Sequence, residues 1–272
     1  MDVGALARDD GALIFSAEEA DTLIQNHPQA KGMIRKYYGA RELVNGSPRY
    51  CLWINEEELS VAETIPEISE RLEHVRTFRA KSTAAVTRES ANTPYRFGQI
   101  TGKGVPNQQS ILVPRTSSER RVYLPIDMMG ADSVASADCQ IIFDPPIWCF
   151  AVLASRLHLI WTTTVTGRLE GRIRYSSTLC WHAFPIPSFT KDQKDALQNS
   201  ARKILKVRYS HHPQTIADLY NPDKIPDDLR DVHRENDDLL ESMYIGRSFK
   251  NDTERLEKLF KLYAARIEKE AA

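Results

Sequence analysis

The sequence predicts an α+β chain: a mixed α/β part with short strands and helices over residues 1–187, then a small all-α domain over 188–272. Three observations predict it. Short β-prone runs such as SILVP (Ser110–Pro114) and CQIIF (Cys139–Phe143) alternate with stretches of helical period up to Pro185-Ile186-Pro187. Beyond that double proline come three amphipathic stretches and no strand signal, so the texture changes at the hinge. An apolar content of 42% and a charged content of 27% over 272 residues are ordinary for a globular protein and suffice to bury a sizeable core.

The elements follow in order. FSAEEADTLIQNHP opens with a capping box, Ser16 and Glu19, and closes at Pro28. RYCLWI (Arg49–Ile54) reads as a strand introduced by the turn signal Asn45-Gly46. From Pro66 to about Lys81, Ile68, Leu72, Val75 and Phe78 fall on one helical face. A looser segment passes through Pro94 and Gly104. SILVP, RRVYLPI (Arg120–Ile126) and CQIIF are then short β-prone runs separated by Pro, Gly and Asp/Ser clusters. An apolar helix returns from Ile147 to about Thr164, with Phe150, Leu153, Leu157 and Trp161 at steps of three or four. Thr190 caps the amphipathic helix TKDQKDALQNSARKILKVRYSH, and PDDLRDVHRENDDLLESMY and DTERLEKLFKLYAARIEKEAA are helices of the same kind.

Charge and cysteine usage bound the function. The formal net charge is -1, so the chain has no global electrostatic footprint and any nucleic-acid surface is a local patch. Cys51, Cys139, Cys149 and Cys180 sit in apolar runs without CxxC spacing and read as buried free thiols in a reducing cytoplasm. No signal-peptide pattern opens the chain and no apolar run reaches about 18 residues, so the expectation is a cytoplasmic soluble protein with no membrane partner. DVGALARDDGALIF, after Met1, has no strong fold-starting pattern and would suit a piece of a longer polypeptide.

Four constellations invite a catalytic reading, and each has a plainer one. FDPPIW (Phe143–Trp148) resembles the Asp/Asn-Pro-Pro-aromatic loop of amino-group methyltransferases, but Ile147 occupies the aromatic slot and no glycine-rich strand–turn–helix precedes it. The plainer reading is a strand end, a Pro-Pro turn and a helix start. His211-His212 lacks an acidic or Cys partner at ligand spacing and reads as a solvated loop after a helix. Ser117-Ser118-Glu119 lacks a glycine elbow and a neighbouring His. Asp227, Asp228, Asp231 and Glu235 step by three and four along a helix, as a solvated face does.

Two arginine-bearing segments remain. PRTSSERRVYLP (Pro114–Pro125) carries Arg115, Arg120 and Arg121 with the hydroxyls of Thr116, Ser117 and Ser118. GRLEGRIRYS (Gly167–Ser176) packs Arg168, Arg172 and Arg174 around Glu170, after a stretch, ASRLHLIWTTTVT, that contains no acid. Guanidiniums interleaved with hydroxyls suit a phosphate backbone, which needs charge for affinity and short donors for register. If Glu170 to Arg174 is extended, period-two alternation puts Glu170, Arg172 and Arg174 on one face. An acid there is tolerable where it accepts from cytosine N4 while a nearby arginine takes guanine O6 and N7. The same residues also suit an intramolecular Glu–Arg pair on a surface hairpin, worth little energetically. Both readings stand on the residues alone.

SSERRVYLP, LASRLHLIW, TGRLEGRIRYSSTLCWHAFPIP, ARKIL and IADLYNPDKIPDDLRDVHRENDDLLE together resemble the C-terminal part of the MmeI-like enzymes. Upstream, IRKYYGARELVNGSPRYCLWI and VRTFRAKS resemble the start of the family's recognition domain, so the resemblance covers nearly the whole chain. These are type IIL restriction–modification proteins that join an endonuclease, an adenine-N6 DNA methyltransferase and one target recognition domain. The resemblance implies a DNA target recognition domain over 1–187 and a bracing helical domain over 188–272. It implies a chain that catalyses nothing alone and holds no cofactor, inside a parent that uses S-adenosylmethionine and Mg²⁺. The implied partners are double-stranded DNA and the parent's methyltransferase and endonuclease domains. The family's GRLxxxYRYS segment is similar to a reading head whose fourth and sixth positions vary with the target base; they fall on Glu170 and Arg172, and a Glu-x-Arg arrangement goes with cytosine. The family's Tyr before Arg-Tyr-Ser is Ile173 here, which alternation would point away from the bases. A second reading position falls on Arg115, with its partner at Asp138 or Ala137; Ser117, Ser118, Arg120, Arg121, Arg168 and Arg174 are then phosphate or structural residues. Two rivals stand beside this: an active transferase using FDPPIW, and a module whose arginines pair with a partner protein's acids.

Overall fold

The computed structural model describes residues 1–169 and 171–271, with only the backbone described for Arg168, Leu169 and Ala271. Three small sheets are strung together by long strand runs. The N-terminal sheet has the order Ile14–Phe15, Arg49–Leu52, Ile34–Tyr38, Ser133–Ala135, antiparallel except for the last pair. A central antiparallel sheet runs Asp2–Val3, Cys139–Phe143, Gln109–Pro114, Asp127–Gly130. The third runs Arg168–Leu169, Arg172–Arg174, Thr116–Ser117. Residues 109–117 thus belong to two sheets in succession, and residues 133–143 tie the N-terminal sheet to the central one.

Local chemistry accounts for most elements. Ser16 Oγ accepts from Glu19 N–H and the Glu19 carboxylate from Ser16 N–H, so the capping box forms at the head of the Ala17–Asn26 helix. Thr190 and Gln193 do the same at the head of Lys191–Ser210. The strand RYCLWI is shorter than its sequence suggests, Arg49–Leu52, and Asn45-Gly46 before it ends a helix, Ala40–Asn45. Gly46 takes φ +63° at that helix end, which a side chain would resist.

Other expectations need correction. RRVYLPI forms no strand: Pro125 has no N–H to give a ladder, and Tyr123, Leu124, Pro125 and Ile126 are all buried rather than alternating. The apolar stretch from Ile147 is two helices, Trp148–Leu153 and Arg156–Val165, because Ser155 caps the second through Oγ and His158 N–H. On the Pro66–Ala80 helix, Ile68, Leu72 and Val75 are buried, but Phe78 is 40% exposed and Arg79 is inside. Arg79 spends its donors on five carbonyls, those of Ala7, Arg8, Ser90, Thr93 and Arg96, at 2.7–3.1 Å. That fixes the loop around Ser90–Arg96 to the N-terminal strand region without an acid partner in an ion pair among the described residues.

The largest core crosses from the mixed part into the helices. Ile111, Phe150, Leu157, Trp161, Ile173 and Tyr175 share it with Leu197, Ile204, Leu229 and Leu259. Lys191–Ser210 packs between Trp148–Leu153 and Asp227–Ile245, and Asp252–Ala271 packs on Arg156–Val165. A short helix, Ile216–Leu219, was not legible in the sequence. All four cysteines are buried and free. Among the described residues no helix is long and apolar enough to cross a membrane.

Candidate nucleic-acid interface

The chain builds a patch of arginines by joining two distant segments edge to edge. After Pro114 the central strand continues through Arg115 into Thr116–Ser117, which pairs antiparallel with Arg172–Arg174: Ile173 faces Ser117 and Arg174 faces Thr116. Tyr175 N–H donates to the Arg115 carbonyl at 2.8 Å and extends the ladder. On the other side Arg172–Arg174 pairs with Arg168–Leu169. Period-two alternation then decides what is offered to solvent. Ile173 and Tyr175 are 3% and 2% exposed, while Arg172 and Arg174 are exposed on the opposite face.

The strand does not extend back through Gly171. Gly171 has φ +82°, outside extended geometry, so the strand begins at Arg172. Glu170 itself lies outside the described residues, as does the side chain of Arg168. Ile173 points into the core, as its place between the two exposed arginines requires.

Arg115 and Asp138, expected from the resemblance as a second reading position, lie together. Arg115 N–H donates to the Asp138 carbonyl at 2.9 Å, and its guanidinium donates to the Ala137 carbonyl at 3.0 Å. Asp138 is exposed beside it. The remaining arginines of the first segment are used internally. Arg120 makes two bonds to Asp223, at 3.0 and 2.8 Å, reaching across to the helical part. Arg121 is half-buried, donates to Ser117 Oγ at 3.3 Å, and its guanidinium pKa is lowered by burial. Ser117 is buried and Ser118 Oγ accepts from Arg120 N–H, so both hydroxyls serve the loop.

Sequence reasoning missed a groove beside the patch. A space of about 440 Å³ is lined by Arg115, Gln140, Thr166, Arg174, Ser176 and Ser177 among others, with no carboxylate in its wall among the described residues. Gln140 is 3% exposed and its Oε1 has no hydrogen-bond partner. Arg115, Arg174 and the two serines give the groove a positive, donor-rich wall suited to an anion. No sequence spacing links Gln140 to Arg174; only the strand pairing does.

The catalytic candidates resolve into structure. Asp144 sits at φ +48°, and its carboxylate accepts from Gln108 N–H at 2.8 Å and Asn107 N–H at 3.1 Å, with Lys103 at 3.2 Å. Those donors, the Gln108 N–H foremost, push its pKa down to about 2. The FDPPIW carboxylate therefore closes a loop, and a helix starts at Trp148 after the prolines. His211 caps a helix end and bonds Asp228 at 2.9 Å; no group of three metal-ligating side chains occurs among the described residues. Asp227 pairs with Arg230, Asp231 with Arg234 and Glu235 with Lys203, as a solvated face does.

Comparison with known proteins places this geometry in context. Residues 1–188 match the family described as MmeI, target recognition domain, and residues 189–269 the family described as MmeI, C-terminal domain. DNA methyltransferase A of Bacillus subtilis (strain 168) is 36% identical over 266 residues, which is 98% of this chain and 30% of that protein. A solved structure of the Type IIL restriction–modification enzyme MmeI in complex with DNA superposes with a TM-score of 0.90 at 32% identity, covering 97% of this chain and 35% of that one. The chain thus spans about a third of the length of the proteins it matches.

Proposed function

The chain belongs to the MmeI family, as a target recognition domain followed by a C-terminal domain, and on that premise we propose that it selects the DNA sequence on which a longer enzyme acts. The observation that supports the reading is the pairing of Arg172–Arg174 with Thr116–Ser117, which brings Arg174 and Arg115 to one groove with Arg172 exposed on the same strand. Such an edge offers fixed guanidiniums to a duplex, for which the solved relative in complex with DNA is the precedent.

In the finer reading, Glu170 and Arg172 read one C·G pair in the major groove, the acid accepting from cytosine N4 and the guanidinium donating to guanine O6 and N7. Arg115 with Asp138 reads a second pair. Arg168 and Arg174 serve phosphates or structure. One good bidentate pair gives about 1–3 kcal/mol of discrimination, or roughly 5- to 150-fold. The longer enzyme transfers a methyl group to adenine N6 and cuts DNA; S-adenosylmethionine and Mg²⁺ serve its other domains, which are this chain's partners in cis. The recognition part extends over 1–187 and the helical part over 188–272. Four buried free thiols fit a reducing cytoplasm.

The test is a paired exchange. Glu170→Lys with Arg172→Asp in the full-length enzyme is expected to exchange C for G at one target position. Sequencing of methylated sites in a host genome reads the outcome, and an unchanged site overturns the assignment of these two residues. Titration of DNA across salt concentrations tests the broader reading: binding must weaken with salt as phosphate contacts require, and salt-independent binding refutes it.

A further inference from the structure

Behind the exposed arginines lies a buried polar pair that the proposed function does not use. His158, on the Arg156–Val165 helix, is fully buried, and its Nε2 lies 2.9 Å from the Tyr175 hydroxyl. Tyr175 directly follows Arg174 and is itself 2% exposed. Phe184 holds the imidazole edge-on at 4.8 Å and Trp181 at 6.0 Å, so the ring has one orientation. Its other nitrogen, Nδ1, has no partner. A pair that leaves one buried nitrogen unpaired is a poor way to stabilise a core, and such groups in native proteins call for another explanation.

Strand register supplies one. The Arg172–Arg174 strand is short, and its core face shows only Ile173 and Tyr175. A slip by one residue would turn both outward and drive arginines into the core, which burial forbids. A slip by two keeps an apolar residue inside, since Ile173 would occupy the place of Tyr175. That slip would leave Gly171 in the place of Ile173, which costs burial, and it would also leave His158 facing isoleucine, which has no hydrogen bond to give. Any such slip would carry Arg172 and Arg174 past Arg115 and Thr116 and change which guanidinium stands where.

We propose that His158 is a positioning residue that sets the register of the arginine-bearing strand by engaging the Tyr175 hydroxyl. The consequence for site selection rests on the DNA-reading function proposed above; the consequence for strand order does not. The test therefore has two readouts in the full-length enzyme. Replacing both partners, His158→Leu with Tyr175→Phe, leaves no unpaired polar group and is expected to keep the melting temperature close to that of the unmodified enzyme. Hydrogen–deuterium exchange over residues 171–176 is expected to quicken on the order of tenfold, as local opening becomes easier. Methylation is expected to spread to sites that differ at the bases read by the strand. Unchanged exchange overturns the register role whatever the DNA result; faster exchange with unaltered site choice overturns its link to specificity. If the unmodified enzyme selects no sites, the DNA-reading function fails, and exchange alone still decides the register. Should the double variant not fold, Tyr175→Phe alone removes one oxygen and is expected to show the same faster exchange. His158→Gln keeps an acceptor, and its exchange is expected to stay slower than that of His158→Leu.

Discussion

Asp237 on the Asp227–Ile245 helix offers a sharp test of how the helical part grips the rest of the chain. It is 9% exposed and accepts from Arg156 N–H at 2.6 Å and from the Tyr123 hydroxyl at 2.8 Å. Burial pushes its carboxyl up to about 7, against the pull of those two hydrogen bonds and with a further push from nearby Glu241. In the unfolded chain the same group titrates near its ordinary value of about 4. Between the two values the folded chain keeps a proton that the unfolded chain has released, so this group's contribution to stability falls as pH rises and levels off above about pH 7. Integrated from pH 5 to pH 7, the loss is about 2 kcal/mol. His158 and His233 act with the opposite sign. Burial pushes both down to about 3, so the unfolded chain binds protons that the folded chain refuses, and stability falls as pH drops below about 6.5. The raw profile sums all three, and only a difference isolates the carboxyl. Asp237→Asn keeps a carbonyl for the Arg156 N–H and loses the titration. Urea unfolding at constant ionic strength is expected to show the variant gaining about 2 kcal/mol on the unmodified chain between pH 5 and pH 7. A difference that stays flat across that window refutes the reasoning.

Two further outcomes are expected. Arg79→Lys leaves three donors for five carbonyls, of which that of Ala7 is in a buried bond, and costs on the order of 2 kcal/mol, read as a drop in the urea midpoint; a loss below about 0.5 kcal/mol would mean that the carbonyls find other partners. Arg120→Ala removes an exposed pair with Asp223, so stability changes little and the salt slope of DNA binding stays the same; a slope shallower by about one would instead make Arg120 a phosphate contact.

The sequence made the regular elements legible because capping and periodicity are local. Ser16 with Glu19, and Thr190 at the head of its helix, each carry their signal within a few residues. What escaped is set by distant partners. Phe78 continues the apolar pattern of its helix, yet Arg79 is the residue inside, because five carbonyls from two other stretches converge on it. RRVYLPI has strand-like composition, but its aromatic ring stacks on His233 at 4.0 Å and its hydroxyl bonds Asp237, both from the helical part. At the interface, the exposed arginines and buried Ile173 follow from alternation alone, whereas the extended geometry stops at Gly171, with φ +82°. The groove wall of Gln140 and Ser176 depends on pairings between strands far apart in sequence.

Arg172 and Arg174 project from the face opposite the buried Ile173 and Tyr175. The strand's placement, in contrast, is shared. Ile173 and Tyr175 pack in the same core as Leu197, Leu229 and Leu259, and Arg120, Tyr123 and Asp127 are tied to Asp223, Asp237 and Arg208 respectively. Arg208 is nine-tenths buried where it meets Asp127 and also donates to the Ile126 carbonyl, so that tie resists solvent and salt more than a surface pair would. The helical part thus supplies residues that hold the arginine patch from behind. Substitutions in it that spare the fold should therefore shift how firmly the patch is held.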